Sequence, residues 1–256
     1  MKPKFVIHRN GLQRWATASV DLLYPRHCVL THKPLHTDSL PYRYLSRDGL
    51  RQLKRIEQPH CKRCGTPFWG AMLPQSSCPN CKEHEPVFHR GQSLYYLNAP
   101  MRTLLHQYKY AGARWLLPDL QELFSHATEC HAFFEEATLV PVPLHPRKQR
   151  KRGYNQSECL ANAFVETLRS KHINAEVRAV LCRNRFTPSQ TQMDRRQRQQ
   201  NMKDAFETMA EHTVHSSRRY LIIDDLFTTG ATLNACARAL KRAGAEKIDI
   251  FTFAHG

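Results

Sequence analysis

YLIIDDLFTTGATLNACARALKRAGAEKIDIFTF, residues 220–253, is the stretch from which the fold is read. Its hydrophobic pattern gives strand, loop, helix, strand: LII ends in the acidic pair Asp224 and Asp225, LFTTGATL turns into a helix, and Gly244 stops that helix before IDIFTF. A strand–helix–strand unit with a helical crossover implies a parallel sheet whose ligand sites lie at the carboxyl ends of the strands. Thr228, Thr229, Gly230, Ala231 and Thr232 then form an anion cradle. Backbone N–H groups at a helix N-terminus and the three threonine hydroxyls supply donors, and Gly230 lets the backbone come close to a phosphate. Carboxylates beside a phosphate repel it unless they have other work, and accepting hydrogen bonds from sugar hydroxyls is that work. A phosphorylated sugar satisfies both halves. Neither GxxxxGK nor GxGxxG occurs, which argues against nucleoside triphosphate and dinucleotide folds.

The same texture extends upstream to Ser93. SLYYL (93–97) and TLVPVPL (138–144) read as strands, and residues 99–110 and 115–127 as helices. Asn155 with Glu158 resembles a capping box for a helix that runs to about Ser170. EVRAVL (176–181) reads as one further strand, followed by a polar, basic stretch from 185 to 202 in which 187–200 has the character of a mobile lid. No internal repeat is apparent. The expected class is α/β, a parallel sheet flanked by helices.

Before residue 90 the chain is different: loop-rich, rich in proline, and opened by an amphipathic helix over 1–24 with Leu12, Trp15, Leu22 and Leu23 on one face. Cys61 and Cys64 are followed, after thirteen residues, by Cys78 and Cys81. Each CxxC turn aims two thiolates at one centre, and four thiolates complete a tetrahedral zinc site with no position left for water, so the zinc is structural. Cys28 stands alone, followed by Thr31 where a second CxxC would need cysteine; His27, His32 and His36 could in principle join it on a metal. The other unpaired cysteines, Cys130, Cys159, Cys182 and Cys236, read as core residues. The division expected is therefore 1–90 for the helix and a zinc-ribbon-like module, and 91–256 for the α/β domain.

The 256 residues carry 38 Lys and Arg against 22 Asp and Glu, a net +16. From Val140 to Asn201 there are 13 basic and 4 acidic residues, so +9 of the charge lies in about a quarter of the chain. That segment is expected to face a polyanion. No apolar run reaches the roughly 18 residues of a membrane span, and the N-terminus lacks a signal-peptide core. The chain is expected to be soluble and cytoplasmic, without stable membrane insertion.

LIIDDLFTTGATL resembles the phosphoribosyl pyrophosphate signature of type I phosphoribosyltransferases. PVPLHPRKQRKRGYNQ (141–156), RNRFTPSQTQ (183–192), DRRQRQQN (194–201) and the cysteine module extend the resemblance, in order, to the ComF/GntX family of competence and DNA-utilisation proteins. The resemblance implies a type I phosphoribosyltransferase-like sheet, with Asp224 and Asp225 holding the ribose 2′ and 3′ hydroxyls and Thr228 to Thr232 holding the 5′-phosphate. Pro141, Val142, Pro143 and Leu144 would match the loop that receives pyrophosphate, with Arg147, Lys148, Arg150, Lys151 and Arg152 as its cations. Magnesium would arrive with the ligand, held mostly by ligand oxygens and water.

Two functions follow. The first is a protein of DNA uptake or utilisation that binds phosphoribosyl pyrophosphate. Its basic face meets single-stranded DNA, with Phe186 and Tyr154 to stack on bases, and proteins of the uptake machinery are partners. The second is a working magnesium-dependent phosphoribosyltransferase acting on a base in nucleotide salvage. No catalytic residue is singled out, because nothing in the sequence names an acceptor.

Overall fold

A computed structural model describes residues 25–35, 41–68, 78–110, 112–184 and 205–256. The expected helix over 1–24, His36, Phe186 and the expected lid over 187–200 lie outside the described residues. The helices are α1 (Arg47–Arg51), α2 (Pro79–His84), α3 (Ala99–Tyr110), α4 (Leu117–Ser125), α5 (Thr128–His131), α6 (Pro146–Arg152), α7 (Gln156–Ser170) and α8 (Ala231–Arg242). The strands are β1 (Arg90–Tyr96), β2 (Ala137–Pro141), β3 (Ala175–Val177), β4 (Leu181–Arg183), β5 (Phe206–Thr208), β6 (Arg219–Phe227) and β7 (Lys247–His255).

Five of the strands make one sheet in the order β1-β7-β6-β2-β3, every pair parallel. Its central strands are apolar nearly throughout because both faces are covered, as a parallel sheet with crossover helices requires. Side chains alternate between the faces. Leu221, Ile223, Phe251 and Phe253 pack with Leu104 and Tyr108 of α3, Phe124 of α4 and Phe164 of α7. Tyr220, Ile222, Ile248 and Ile250 pack on the other side with Leu233, Cys236 and Leu240 of α8, and with Cys61, Cys64 and Cys78. The cysteine module is thus packed into the second core.

The stretch 176–181 departs from its expected form. The chain leaves the sheet after Val177; Val180 N–H bonds back to Arg178 O at 3.0 Å, and residues 181–183 pair antiparallel with β5 instead. A single apolar run therefore serves two sheets, because a tight turn at 178–180 redirects it. At the opposite end, the edge of β1 is covered by the segment before the first CxxC: Ile56 N–H bonds to Leu94 O at 3.0 Å and Tyr96 N–H to Lys54 O at 2.8 Å. This removes an exposed strand edge.

The cysteine turn reaches the sheet through Gly91. A Cβ there would stand 2.8 Å from Ile250 and 3.1 Å from the backbone at Arg63 and Cys64, closer than side chains tolerate. Gly91→Ala is therefore expected to lower stability by about 1–3 kcal/mol through overpacking, measured as the urea midpoint at unchanged m-value; a shift under about 0.5 kcal/mol would contradict this contact.

Candidate functional site at the switch point of the sheet

From β2 the chain crosses to β3 on one side of the sheet, and from β6 it crosses to β7 on the other. The strand order therefore reverses between β2 and β6, and in open parallel sheets the crevice outside the carboxyl ends of the strands at such a switch point is where ligands bind. Both sequence-predicted loops flank it. Pro141 closes β2 and pairs with Ile223, and Val142 N–H bonds to Ile223 O at 3.0 Å. Four residues on, His145 caps α6 by accepting the Arg147 N–H on Nδ1 at 3.2 Å. The basic run is thus a short helix, with Arg147, Lys148, Arg150, Lys151 and Arg152 in its seven residues. Asn155 caps α7, accepting the Ser157 N–H at 3.1 Å while its own amide holds Val142 O at 3.1 Å.

Asp224 and Asp225 lie within the last turn of pleat of β6, three and two residues before its end. The Ser157 hydroxyl donates to Asp224 Oδ1 at 2.8 Å, and the Asp225 N–H donates to the same oxygen at 2.9 Å. Asp225 is on the face of Leu221 and Ile223, beneath α3, and there Lys109 Nζ meets its Oδ2 at 2.5 Å. Burial, followed by the adjacent Asp225 carboxylate, pushes the Asp224 carboxyl well above the usual carboxylate range, to about 7. For Lys109, burial is the largest influence and works to discharge the ammonium. The charge and hydrogen bond of Asp225, with Asp224 behind it, outweigh burial and hold the pKa above its ordinary value.

After β6 the chain turns through Thr228–Gly230 into α8. Gly230 has φ +72°, and a Cβ there would lie 2.7 Å from the Phe227 ring, so both backbone and space require glycine. Thr229 is buried, and its hydroxyl accepts the Ala231 N–H at 3.3 Å; it works inside the turn. Thr228, Ala231 and Thr232 are half-exposed.

Arg183 on β4 adds a cation that the sequence reading omits. It is buried, with its guanidinium 5.2 Å from the Phe206 ring centroid. Burial lowers its pKa, opposed by Cys236 and Asp224. Burial and then the Arg183 and Arg152 charges hold Lys148 below its ordinary value as well, so the rim of the crevice is a field of mutually repelling cations. Lys109 and Ser157 are likewise absent from the sequence reading. Lys109 had a signal: it sits on the stripe of Met101, Leu105 and Tyr108, where a lysine needs a buried partner. Tyr154 requires a correction. It is only 9% exposed, packed on Tyr108 with ring centroids 5.7 Å apart and its hydroxyl bonded to Tyr108 O, so it offers no face to a base. Arg152 instead lies over exposed Tyr110, 5.0 Å from its centroid.

The four cysteines converge. All four sulfurs lie within 4.8 Å of one another, with Cys61–Cys81 at 3.7 Å and Cys64–Cys78 at 3.6 Å. Zinc–sulfur bonds of about 2.3 Å in a tetrahedron put sulfurs about 3.8 Å apart, so this set fits a metal such as zinc. Gly65, at φ +76°, closes the first turn, and Cys78 precedes α2, with Pro79 at its first position. The module also touches the crevice. Cys64 Sγ lies 3.0 Å from Thr66 Oγ1, which meets His255 Nε2 at 3.3 Å; the His255 ring stacks on Phe227 at 4.5 Å, and Phe227 covers Gly230. Asn234 of α8 ties in from the other side, accepting the Val87 N–H at 2.7 Å and donating to His84 O at 3.2 Å.

No family model matches the chain. It is 27% identical over 220 residues to "Competence protein F" of Haemophilus influenzae, covering 82% of this chain and 92% of that protein. It is 30% identical over 201 residues to "DNA utilization protein YhgH" of Escherichia coli K12, covering 77% and 84%. With "Competence protein ComFC" of Streptococcus pneumoniae it shares 25% identity over 228 residues, 81% and 93% of the two chains.

The raised Asp224 carboxyl has a stability signature. The folded state holds its proton more tightly than the unfolded chain does, so ionisation costs stability as pH rises from the ordinary carboxylate range through about 7. Asp224→Asn keeps an oxygen for Ser157 and the Asp225 N–H. It is expected to raise the melting temperature at pH 8 and to lose that advantage by pH 4, in thermal scans across that range.

Proposed function

The chain belongs to the ComF family, and within it we propose that this protein is a cytoplasmic phosphoribosyl-pyrophosphate-binding protein of DNA uptake or utilisation that contacts single-stranded DNA. The observation that carries the reading is the pairing of Asp224–Asp225 and the Thr228–Gly230 turn with the basic α6 across one switch-point crevice. Sugar hydroxyls need acceptors, a 5′-phosphate needs N–H and hydroxyl donors, and a pyrophosphate needs cations. The crevice offers these three in that order around β6 and β2. In this reading residues 1–90 are the zinc module, and 91–256 a type I phosphoribosyltransferase-like domain. The names of the relatives, competence and DNA utilisation, support the biological setting.

The residues divide the labour by chemistry. Asp224 and Asp225 accept from the ribose hydroxyls, while Lys109 and Ser157 keep the two carboxylates oriented. Thr228, Thr229, Gly230, Ala231 and Thr232 wrap the 5′-phosphate at the start of α8. Pro141, Val142 and Pro143 shape the floor under the pyrophosphate, and Arg147 and Arg152 neutralise it. Magnesium travels with the ligand, because two carboxylates alone do not make an octahedral site and the ion retains water and phosphate oxygens. Electrostatic stabilisation of departing pyrophosphate is the catalytic resource such a site offers. The excess of basic charge is the DNA-binding feature, and proteins of the uptake machinery are the further partners.

Calorimetric titration of phosphoribosyl pyrophosphate with magnesium tests the site. Wild type is expected to bind, and Asp224→Asn/Asp225→Asn to bind at least about tenfold more weakly, since hydrogen bonds to charged groups are worth roughly 1.5–3 kcal/mol each. Equal affinities would exclude the ribose role of the pair. Magnesium-dependent pyrophosphate release with a base acceptor, assayed on the same sample, marks a working transferase. Affinity for a short single-stranded DNA is expected to fall steeply between about 50 and 200 mM salt; a flat response would exclude the basic surface as its contact.

A further inference from the structure

The metal-binding turn occurs twice in the backbone, although its ligands occur once. At Cys61, the Cys61 N–H bonds to Thr66 O at 2.8 Å, the Gly65 N–H bonds to Cys61 O at 2.8 Å, and His60 bridges Pro67 antiparallel. At Cys28 the pattern repeats bond for bond: Cys28 N–H to Lys33 O at 2.9 Å, His32 N–H to Cys28 O at 2.8 Å, and His27 bridging Pro34. Gly65 at φ +76° has its counterpart in His32 at φ +56°, a left-handed residue without glycine's freedom. The second halves correspond too. Cys78 is the N-cap of α2 and Cys81 its third residue; Ser46 is the N-cap of α1 and Gly49 its third residue. The four ligand positions Cys61, Cys64, Cys78 and Cys81 thus become Cys28, Thr31, Ser46 and Gly49.

These four also converge. Ser46 N–H donates to Cys28 Sγ at 3.3 Å, and a Cβ on Gly49 would lie 2.9 Å from that sulfur and 3.4 Å from Ser46 Oγ. Thr31 Oγ1 is buried within reach of the Cys28 sulfur. One sulfur, two hydroxyls and a glycine are a poor donor set for zinc. His27 and His32 are exposed, and among the described residues only the four-cysteine cluster groups three or more metal-ligating side chains.

We propose that residues 26–35 and 41–53 are a second, metal-free copy of the cysteine ribbon at 59–68 and 78–84, in which hydrogen bonds to the Cys28 sulfur hold the turn that a metal holds in the other copy. Burial works to raise the Cys28 thiol, and the Ser46 and Thr31 hydrogen bonds more than offset it, leaving its pKa below the ordinary value. The sulfur occupies the space that a fourth ligand would need, which is why glycine stands at 49. The two copies brace opposite faces of the sheet. Val29, Leu45 and Leu53 pack with α3, α4 and α7, where the buried Asp119 carboxylate accepts the Arg43 and Tyr44 N–H groups at 2.8 and 2.7 Å. The cysteine copy packs with α8 and touches the Gly230 turn. Metal occupancy therefore governs one face only, the one that carries the phosphate turn, while the Lys109 face has a permanent brace.

The metal content of the purified chain and its hydrogen exchange after chelation test this directly. One zinc per chain is expected, and chelation is expected to strip protection from the amides of 59–68 and 78–85 while Cys28, Val29 and Leu50 keep theirs. Two zinc ions per chain, or equal loss in both copies, would overturn the proposal. Thr31→Cys/Ser46→Cys/Gly49→Cys supplies the missing ligands, and cobalt titration of it is expected to reach twice the thiolate charge-transfer absorbance of wild type. A folded triple variant that takes up one cobalt overturns the equivalence of the two copies. Should that variant fail to fold, Thr31→Cys/Ser46→Cys, which leaves Gly49 in place, is expected to take up a second cobalt on three thiolates, and uptake of one cobalt only overturns the equivalence in the same way.

Discussion

Two adjacent carboxylates at the dry end of a β-strand have to be reconciled with burial and with each other, and the surroundings of β6 follow from that need. Alternation sends Asp225 under α3, so that helix carries Lys109 into an otherwise apolar stripe. Asp224 takes its partner from the start of α7, where Ser157 is the second residue of the helix, and from the backbone of its own neighbour. A buried ion pair of this kind contributes little net stability, because desolvation cancels much of the Coulombic gain. Its value is positional: the carboxylates are held, before any ligand arrives, at the one place where strand order reverses.

The cysteine module extends this pre-organisation to the neighbouring turn. Thr66, His255 and Phe227 form a short packed chain from Cys64 to Gly230. Burial lowers the His255 pKa to about 4, so the ring is neutral at ordinary pH and stacks as an apolar plate. Asn234 makes a second link between α8 and the segment after the second CxxC. The turn that presents Thr228 and Thr232 is therefore fixed from below by a unit whose four converging cysteines fit a metal and pack into the second apolar core.

Strand β6, the Gly244 stop, the Asn155 cap and the CxxC pair are legible in the residues, because each is a local rule: an apolar run, a left-handed C-terminal position, an Asx oxygen before a helix, two thiolates per turn. The α/β class follows from their order. The split at 178–180 is not legible, since an apolar run does not say which sheet it joins. Tyr154 reads as a surface aromatic in a basic stretch, yet its place against Tyr108 depends on how α3 and the 153–155 turn meet. Likewise the repeat of the ribbon unit survives in backbone hydrogen bonds when only a histidine, a cysteine and a proline remain in common.

What the sequence by itself determined, then, is where the distinctive groups stand along the chain: the acidic pair, the threonine–glycine turn, the basic run and the four cysteines. Each is set by contiguous residues and short-range sterics. Tertiary structure alone decided which of them meet. Lys109 lies more than a hundred residues from Asp225, Thr66 is farther still from His255, and β2 becomes the neighbour of β6 only through the crossovers that place them side by side. Such pairings are fixed by the burial of two sheet faces at once, a constraint on the whole chain that no local window contains.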